Sequence, residues 1–86
     1  MLHRIVDIES RPDFRLWVRF EDGIEGEADL SDVAGRGVFA RWTEHPEEFE
    51  RVTIDPVSGA PTWPGGLDVA PDGLYREIAG QEVRAR

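Results

Sequence analysis

Arg15-Leu16-Trp17-Val18-Arg19-Phe20-Glu21-Asp22-Gly23-Ile24-Glu25-Gly26-Glu27-Ala28-Asp29-Leu30 reads as two half-buried strands joined by a turn. Leu16, Val18 and Phe20 alternate with Arg15, Trp17 and Arg19, which is the period-two pattern of a strand with one face in a core. Beyond Glu21-Asp22-Gly23 the alternation resumes, with Ile24, Gly26, Ala28 and Leu30 opposite Glu25, Glu27 and Asp29. Directly opposed residues of an antiparallel pair point to the same side, so the loop length follows from face matching. A two-residue Asp-Gly loop would set Phe20 against Glu25. A three-residue loop with Gly23 in the left-handed bulge position instead sets Phe20 opposite Ile24, Val18 opposite Gly26 and Leu16 opposite Ala28. The longer loop is therefore expected. It also aligns Arg19 with Glu25 and Arg15 with Asp29 as cross-strand ion pairs, each worth about 0.2 to 1 kcal/mol at best.

Working outward, residues 2–9 carry Leu2, Ile5, Val6 and Ile8, too irregular for a helical stripe and short enough for a first strand, which Arg11-Pro12-Asp13 interrupts. Residues 31–42 lack a sustained period and read as a connection with at most one helical turn near 38–41, docked by Phe39 and Trp42. A short helix is expected from Pro46, because proline suits the first helical position and Glu47 and Glu48 suit the positive end of the dipole. Residues 51–55 and 60–63 form a second hairpin around Pro56-Val57-Ser58-Gly59. In the segment Trp63-Pro64-Gly65-Gly66-Leu67-Asp68-Val69-Ala70-Pro71-Asp72-Gly73-Leu74-Tyr75, Trp63 closes the last strand, Pro64, Gly65 and Gly66 turn the chain, and Asp68 ties the turn. Leu74, Tyr75 and Ile78 then anchor a helix over 71–78 that Gly80 ends, leaving 81–86 as a frayed tail. Residues 1–86 thus form one α+β domain. Its small antiparallel sheet is built from a first strand and two hairpins, with short helices including a C-terminal one.

Composition narrows the function. Eighteen acidic residues against ten basic ones leave a net charge of -8, which repels polyanions and argues against direct contact with nucleic acid or an anionic membrane. A basic partner is attracted by the same field. With no cysteine, neither a disulfide framework nor a thiolate metal site can form, and a cytoplasmic protein is expected. No basic segment followed by an apolar run opens the chain, and no window approaches the roughly 18 apolar residues of a membrane span, so export and insertion are not expected.

Phe20-Glu21-Asp22-Gly23-Ile24-Glu25-Gly26, Asp29-Leu30-Ser31, Gly37-Val38-Phe39, Phe49 and the segment from Trp63 to Tyr75, taken in order, resemble the bacterial domain-of-unknown-function family 2442. The resemblance covers nearly the whole chain and implies a small α+β fold of antiparallel strands with short helices. It carries no catalytic residues and no biochemical activity. Some relatives have an additional helix-turn-helix region, and some occur beside a small companion family of unknown function, number 4160, an arrangement suggesting a toxin and antitoxin. Two positions depart from the family pattern. Gly65 replaces an asparagine in the turn, where both residues tolerate the left-handed region, and His45 replaces the aspartate before the helix-starting proline, weakening that cap.

No catalytic, cofactor-binding or metal-ligating set emerges. His3 and His45 lie far apart without a carboxylate at ligand-like spacing. Ser10, Ser31 and Ser58 lack a nucleophile elbow, and Gly35-Arg36-Gly37 lacks the lysine of a phosphate loop. Asp68 fits backbone capping better than cation binding. Trp17 stands out, since it shares its face with charged neighbours and is either covered by the C-terminal helix or Trp42, or available to a partner. The candidate interface is therefore Trp17 with Arg15, Arg19, Glu25 and Glu27. Asp22, Gly23, Trp63, Pro64, Gly65, Gly66, Asp68, Leu74 and Tyr75 form a structural signature. The acidic group Glu44, Glu47, Glu48 and Glu50 reads as a solvated face or as a steering field toward a basic protein.

The function expected from these readings is a noncatalytic bacterial interaction module, antitoxin-like or regulatory, with a protein partner that is basic or encoded by an adjacent gene. The alternatives are a transcription-related regulator acting through a partner and, behind it, a small-ligand protein or enzyme. Exposed strand edges leave a homodimer open.

Overall fold

The computed structural model describes residues 3–84. Among these residues six strands and four α-helices follow in blocks of three strands, three helices, three strands and one helix: β1 (Ile5–Arg11), β2 (Arg15–Phe20), β3 (Glu25–Asp29), α1 (Ser31–Ala34), α2 (Arg41–Glu44), α3 (Pro46–Phe49), β4 (Thr53–Ile54), β5 (Pro61–Trp63), β6 (Leu67–Asp68) and α4 (Pro71–Arg84). The α+β class holds. The strands divide into two antiparallel three-stranded sheets, ordered β1-β2-β3 and β4-β5-β6, rather than joining in one.

The hairpin has the three-residue loop. Arg19 opposes Glu25, Val18 opposes Gly26 and Leu16 opposes Ala28. Phe20 donates its N–H to the Ile24 carbonyl at 2.8 Å, and Gly23 donates back to Phe20 at 2.9 Å. Gly23 holds φ +94°, a conformation that costs a Cβ-bearing residue about 1 kcal/mol or more and glycine almost nothing. The Asp22 carboxylate accepts the Ile24 N–H at 3.0 Å and closes the turn from outside.

The first strand spans Ile5–Arg11 instead of residues 2–9, and Leu2 lies outside the described residues. Its irregular apolar pattern has a simple cause. Ile5 opposes Phe20 and Asp7 opposes Arg19, so Val6 is an extra residue bulged out of the ladder. Ile5 and Ile8, three apart, consequently face the same side, and Val6 is left half exposed. The strand ends in a tight turn, Pro12–Phe14, where Asp13 and Phe14 both adopt positive φ, at 62° and 59°.

Residues 31–49 are more helical than their sequence suggests. One turn each of α1, α2 and α3, with a 3-10 turn at Gly37–Ala40, wraps Trp42, which is fully buried. Its ring lies 4.9 Å from Phe49, 4.8 Å from Trp63 and 5.0 Å from Phe39. Short helices gain most of their stability from such docking, since an isolated helical turn is unstable in water. Pro46 opens α3 as expected, while His45 before it contributes no side-chain cap.

The second hairpin forms with Thr53 opposite Thr62 and Ile54 opposite Pro61. The third strand of that sheet, β6, pairs with β5 through Asp68 opposite Thr62 and Leu67 opposite Trp63. Gly65 and Gly66, at φ +89° and +79°, make the turn between them. The two sheets meet at their edges, where Ile5 donates to the Gly59 carbonyl at 3.3 Å and the Arg4 guanidinium donates to the Pro56 and Val57 carbonyls at 3.0 Å each.

Helix α4 packs on the inner face of the first sheet through Leu74 and Ile78, both buried. It runs through Gly80 to Arg84, so this glycine does not end it; an unstrained glycine inside a helix costs about 1 kcal/mol relative to alanine, too little to stop the run. Residues 85 and 86 of the expected tail lie outside the described residues. Among the described residues the core is wholly apolar, with no charged side chain buried.

Candidate interaction surface

The strands of the first sheet alternate, so one face fills the core and the other is made by Asp7, Glu9 and Arg11 on β1, Arg15, Trp17 and Arg19 on β2, and Glu25, Glu27 and Asp29 on β3. Trp17 occupies the centre. It lies directly between Glu9 and Glu27 on the neighbouring strands and is half-buried. The cover expected for it is absent among the described residues: Trp42 is in the core on the other side, and α4 packs on that same inner side, where Ile78 meets Gly26.

The expected ion pairs shift by one strand or one step. Arg19 bonds Asp7 across β1 and β2 at 3.4 Å rather than Glu25, and Arg15 reaches the diagonal Glu27 at 3.6 Å rather than Asp29. Arg11 forms an ion pair with Glu9 at 2.9 Å and lies 3.7 Å from Glu27. Arg19 thus pairs with the residue directly opposite it on β1, whereas Arg15 uses its length to reach a diagonal neighbour on β3. Two of the five candidate interface residues, Arg15 and Glu27, are thus bonded to each other beside Trp17. Glu25 is exposed at the end of β3. Asp7, Glu9 and Arg11 belong to the same face and escaped the sequence reading, because the bulge at Val6 hides the register of β1. The alternation of Asp7, Glu9 and Arg11 with Ile8 and Ser10 is the signal that places them.

These ion pairs lie at or near the surface, a pattern that contributes little to stability. Asp29 accepts the Ser31 N–H at 2.9 Å. The Ser31 hydrogen bonds, with Arg15 nearby, hold its carboxyl below the usual range.

The structural signature divides between two places, the β2-β3 turn with Asp22 and Tyr75 and the second sheet with Trp63. The Tyr75 hydroxyl donates to Asp22 at 2.5 Å, joining α4 to the hairpin turn. This bond, reinforced by the Ile24 N–H, lowers the Asp22 pKa. The Tyr75 ring stacks on His3 with centroids 3.7 Å apart and edges against Phe20 at 4.9 Å. His3 is therefore part of an aromatic stack. Trp63 is buried at the end of β5 and donates its indole N–H to the Phe49 carbonyl at 2.9 Å, tying the second sheet to α3. Pro64 is exposed on the turn. Asp68 departs from expectation, since it sits exposed on β6, and the chain tightens the glycine turn by strand pairing instead of by this carboxylate.

No group of three or more histidine or acidic side chains is arranged to hold a metal ion among the described residues, and none of their helices is long and apolar enough to cross a membrane. No curated protein and no solved structure matches the chain significantly. The family profile described as "Protein of unknown function (DUF2442)" matches residues 5–80, from the start of β1 to the middle of α4, so the bulged first sheet, the Trp63 turn and the Tyr75 anchor all lie inside it. This chain belongs to the DUF2442 family.

Proposed function

We propose that this chain is a noncatalytic bacterial interaction module, an antitoxin-like or regulatory partner of a small companion protein, and that it binds through the outer face of its first sheet. The observation that carries the reading is Trp17, half-buried at the centre of a sheet face across which no helix lies among the described residues. Tryptophan and arginine are the residue types most often found at the energetic centre of protein interfaces, and here they are adjacent. Glu9, Glu25 and Glu27 around them, with a net charge of -8, favour a basic partner and fast association. The cysteine-free composition supports a cytoplasmic site of action.

Co-expression with the product of the adjacent open reading frame, followed by affinity purification, tests the proposal. A stoichiometric complex that Trp17→Ala weakens at least tenfold supports it. Recovery of the chain without that product, or a complex indifferent to Trp17 and Arg15, refutes it.

A further inference from the structure

A second feature lies off the sheet face, where the turn after β1 meets α2 and α3. Arg11, Pro12, Asp13, Phe14, Thr43, Pro46, Phe49 and Glu50 line an open cleft of about 390 Å³, within the roughly 300 to 1,000 Å³ typical of ligand sites. Its apolar wall is Phe14 with the two prolines, and Phe14 rests edge-on against the buried Phe49 at 5.5 Å. Its charged residues are Asp13, Glu50 and Arg11. The Arg11 guanidinium is already ion-paired with Glu9 at 2.9 Å, with Glu27 at 3.7 Å, whereas neither Asp13 nor Glu50 has a cationic partner among the described residues. The cleft therefore combines the exposed part of a half-buried aromatic ring with two carboxylates that have no ion-pair partner among the described residues. The backbone forming it is strained, with Asp13 and Phe14 consecutively at positive φ, a conformation that a phenylalanine adopts only when its surroundings impose it.

We propose that this cleft is a binding site for an arginine side chain presented by a basic polypeptide. A guanidinium stacks on an aromatic ring through its face and hydrogen-bonds carboxylates through its edge, so Phe14 with Asp13 and Glu50 supplies both halves of the recognition. Charge complementarity selects this occupant, because the uncompensated groups of the cleft and the chain as a whole are acidic. The site is separate from Trp17, and its test does not depend on the companion protein.

The test is a titration of the ¹⁵N-labelled chain with a capped Gly-Arg-Gly-Arg-Gly peptide, its citrulline counterpart and spermidine, followed by amide shifts. The arginine peptide is expected to move the amides of Asp13, Phe14, Thr43 and Glu50 first and to bind at least tenfold more tightly than the citrulline peptide. Asp13→Asn with Glu50→Gln should weaken it at least fivefold, and asparagine tolerates the left-handed backbone at position 13. Asp72→Asn with Glu77→Gln, on the exposed side of α4, should leave binding unchanged. Shifts spread evenly over the acidic surface, equal binding of the citrulline peptide, equal loss in the two double variants, or binding of spermidine in preference to the peptide would each overturn the assignment.

Discussion

The Cγ2 methyl of Ile78 lies 2.8 Å from the point that a Cβ on Gly26 would occupy. Helix α4 therefore seats on the first sheet through a gap in β3 that only glycine leaves open. Gly26→Ala forces the helix outward and is expected to cost about 1 to 3 kcal/mol, the usual range for overpacking. Ile78→Leu removes the β-branched methyl that fills the gap. In that background the cost of Gly26→Ala should fall by more than half, measured by urea unfolding of the four proteins of the cycle.

The two tryptophans of the core differ in one respect. Trp63 donates its indole N–H to the Phe49 carbonyl, whereas the Trp42 indole N–H is buried without a partner among the described residues. Trp63→Phe strips a buried carbonyl of its donor and removes ring volume. Trp42→Phe removes similar volume and an unsatisfied donor. Trp63→Phe is expected to be more destabilising by about 1 to 3 kcal/mol, and chemical denaturation of the two variants decides the point.

Asp22 and Asp29 both have carboxyl groups held below their ordinary pKa of 3.8, the first by the Tyr75 hydroxyl and then the Ile24 N–H, the second by the Ser31 hydrogen bonds. A carboxylate with a depressed folded-state pKa adds stability that is present above its unfolded value and disappears as pH falls through the folded value. The melting temperature should accordingly decline below about pH 4, the unfolded aspartate range. Tyr75→Phe raises the Asp22 pKa toward 3.8 and flattens part of that decline; ¹³C titration of the Asp22 carboxyl checks the shift directly.

Trp17 contributes more to binding than to folding under the proposed function. It is half-buried on a face outside the core, so Trp17→Ser is expected to lower stability by about 1 kcal/mol or less. The same variant should abolish the complex with the companion protein. A loss of several kcal/mol in unfolding free energy would show that Trp17 is a core residue after all.

The local pattern alone determined the register of the β2-β3 hairpin, because strand alternation and loop length must agree within sixteen consecutive positions. Pro46 and the glycines of the Trp63 turn were legible for the same reason, since their effects act on their own backbone. Tertiary packing decided the rest. The one-turn helices around Trp42 have no period to read and exist because Phe39, Phe49 and Trp63 hold that ring. The bulge at Val6 appears only when β1 is laid against β2, and β6 forms only because the glycine turn returns Leu67 to Trp63. At the surface, alternation named Trp17 and its face, but whether a helix covered it depended on which side α4 chose. Ile78 filling the space over Gly26 made that choice. Trp17 was left exposed in part, and Tyr75 was carried to Asp22, 53 residues away. Short-range sterics and alternation set each strand, whereas apolar burial between distant segments set which faces remain for a partner.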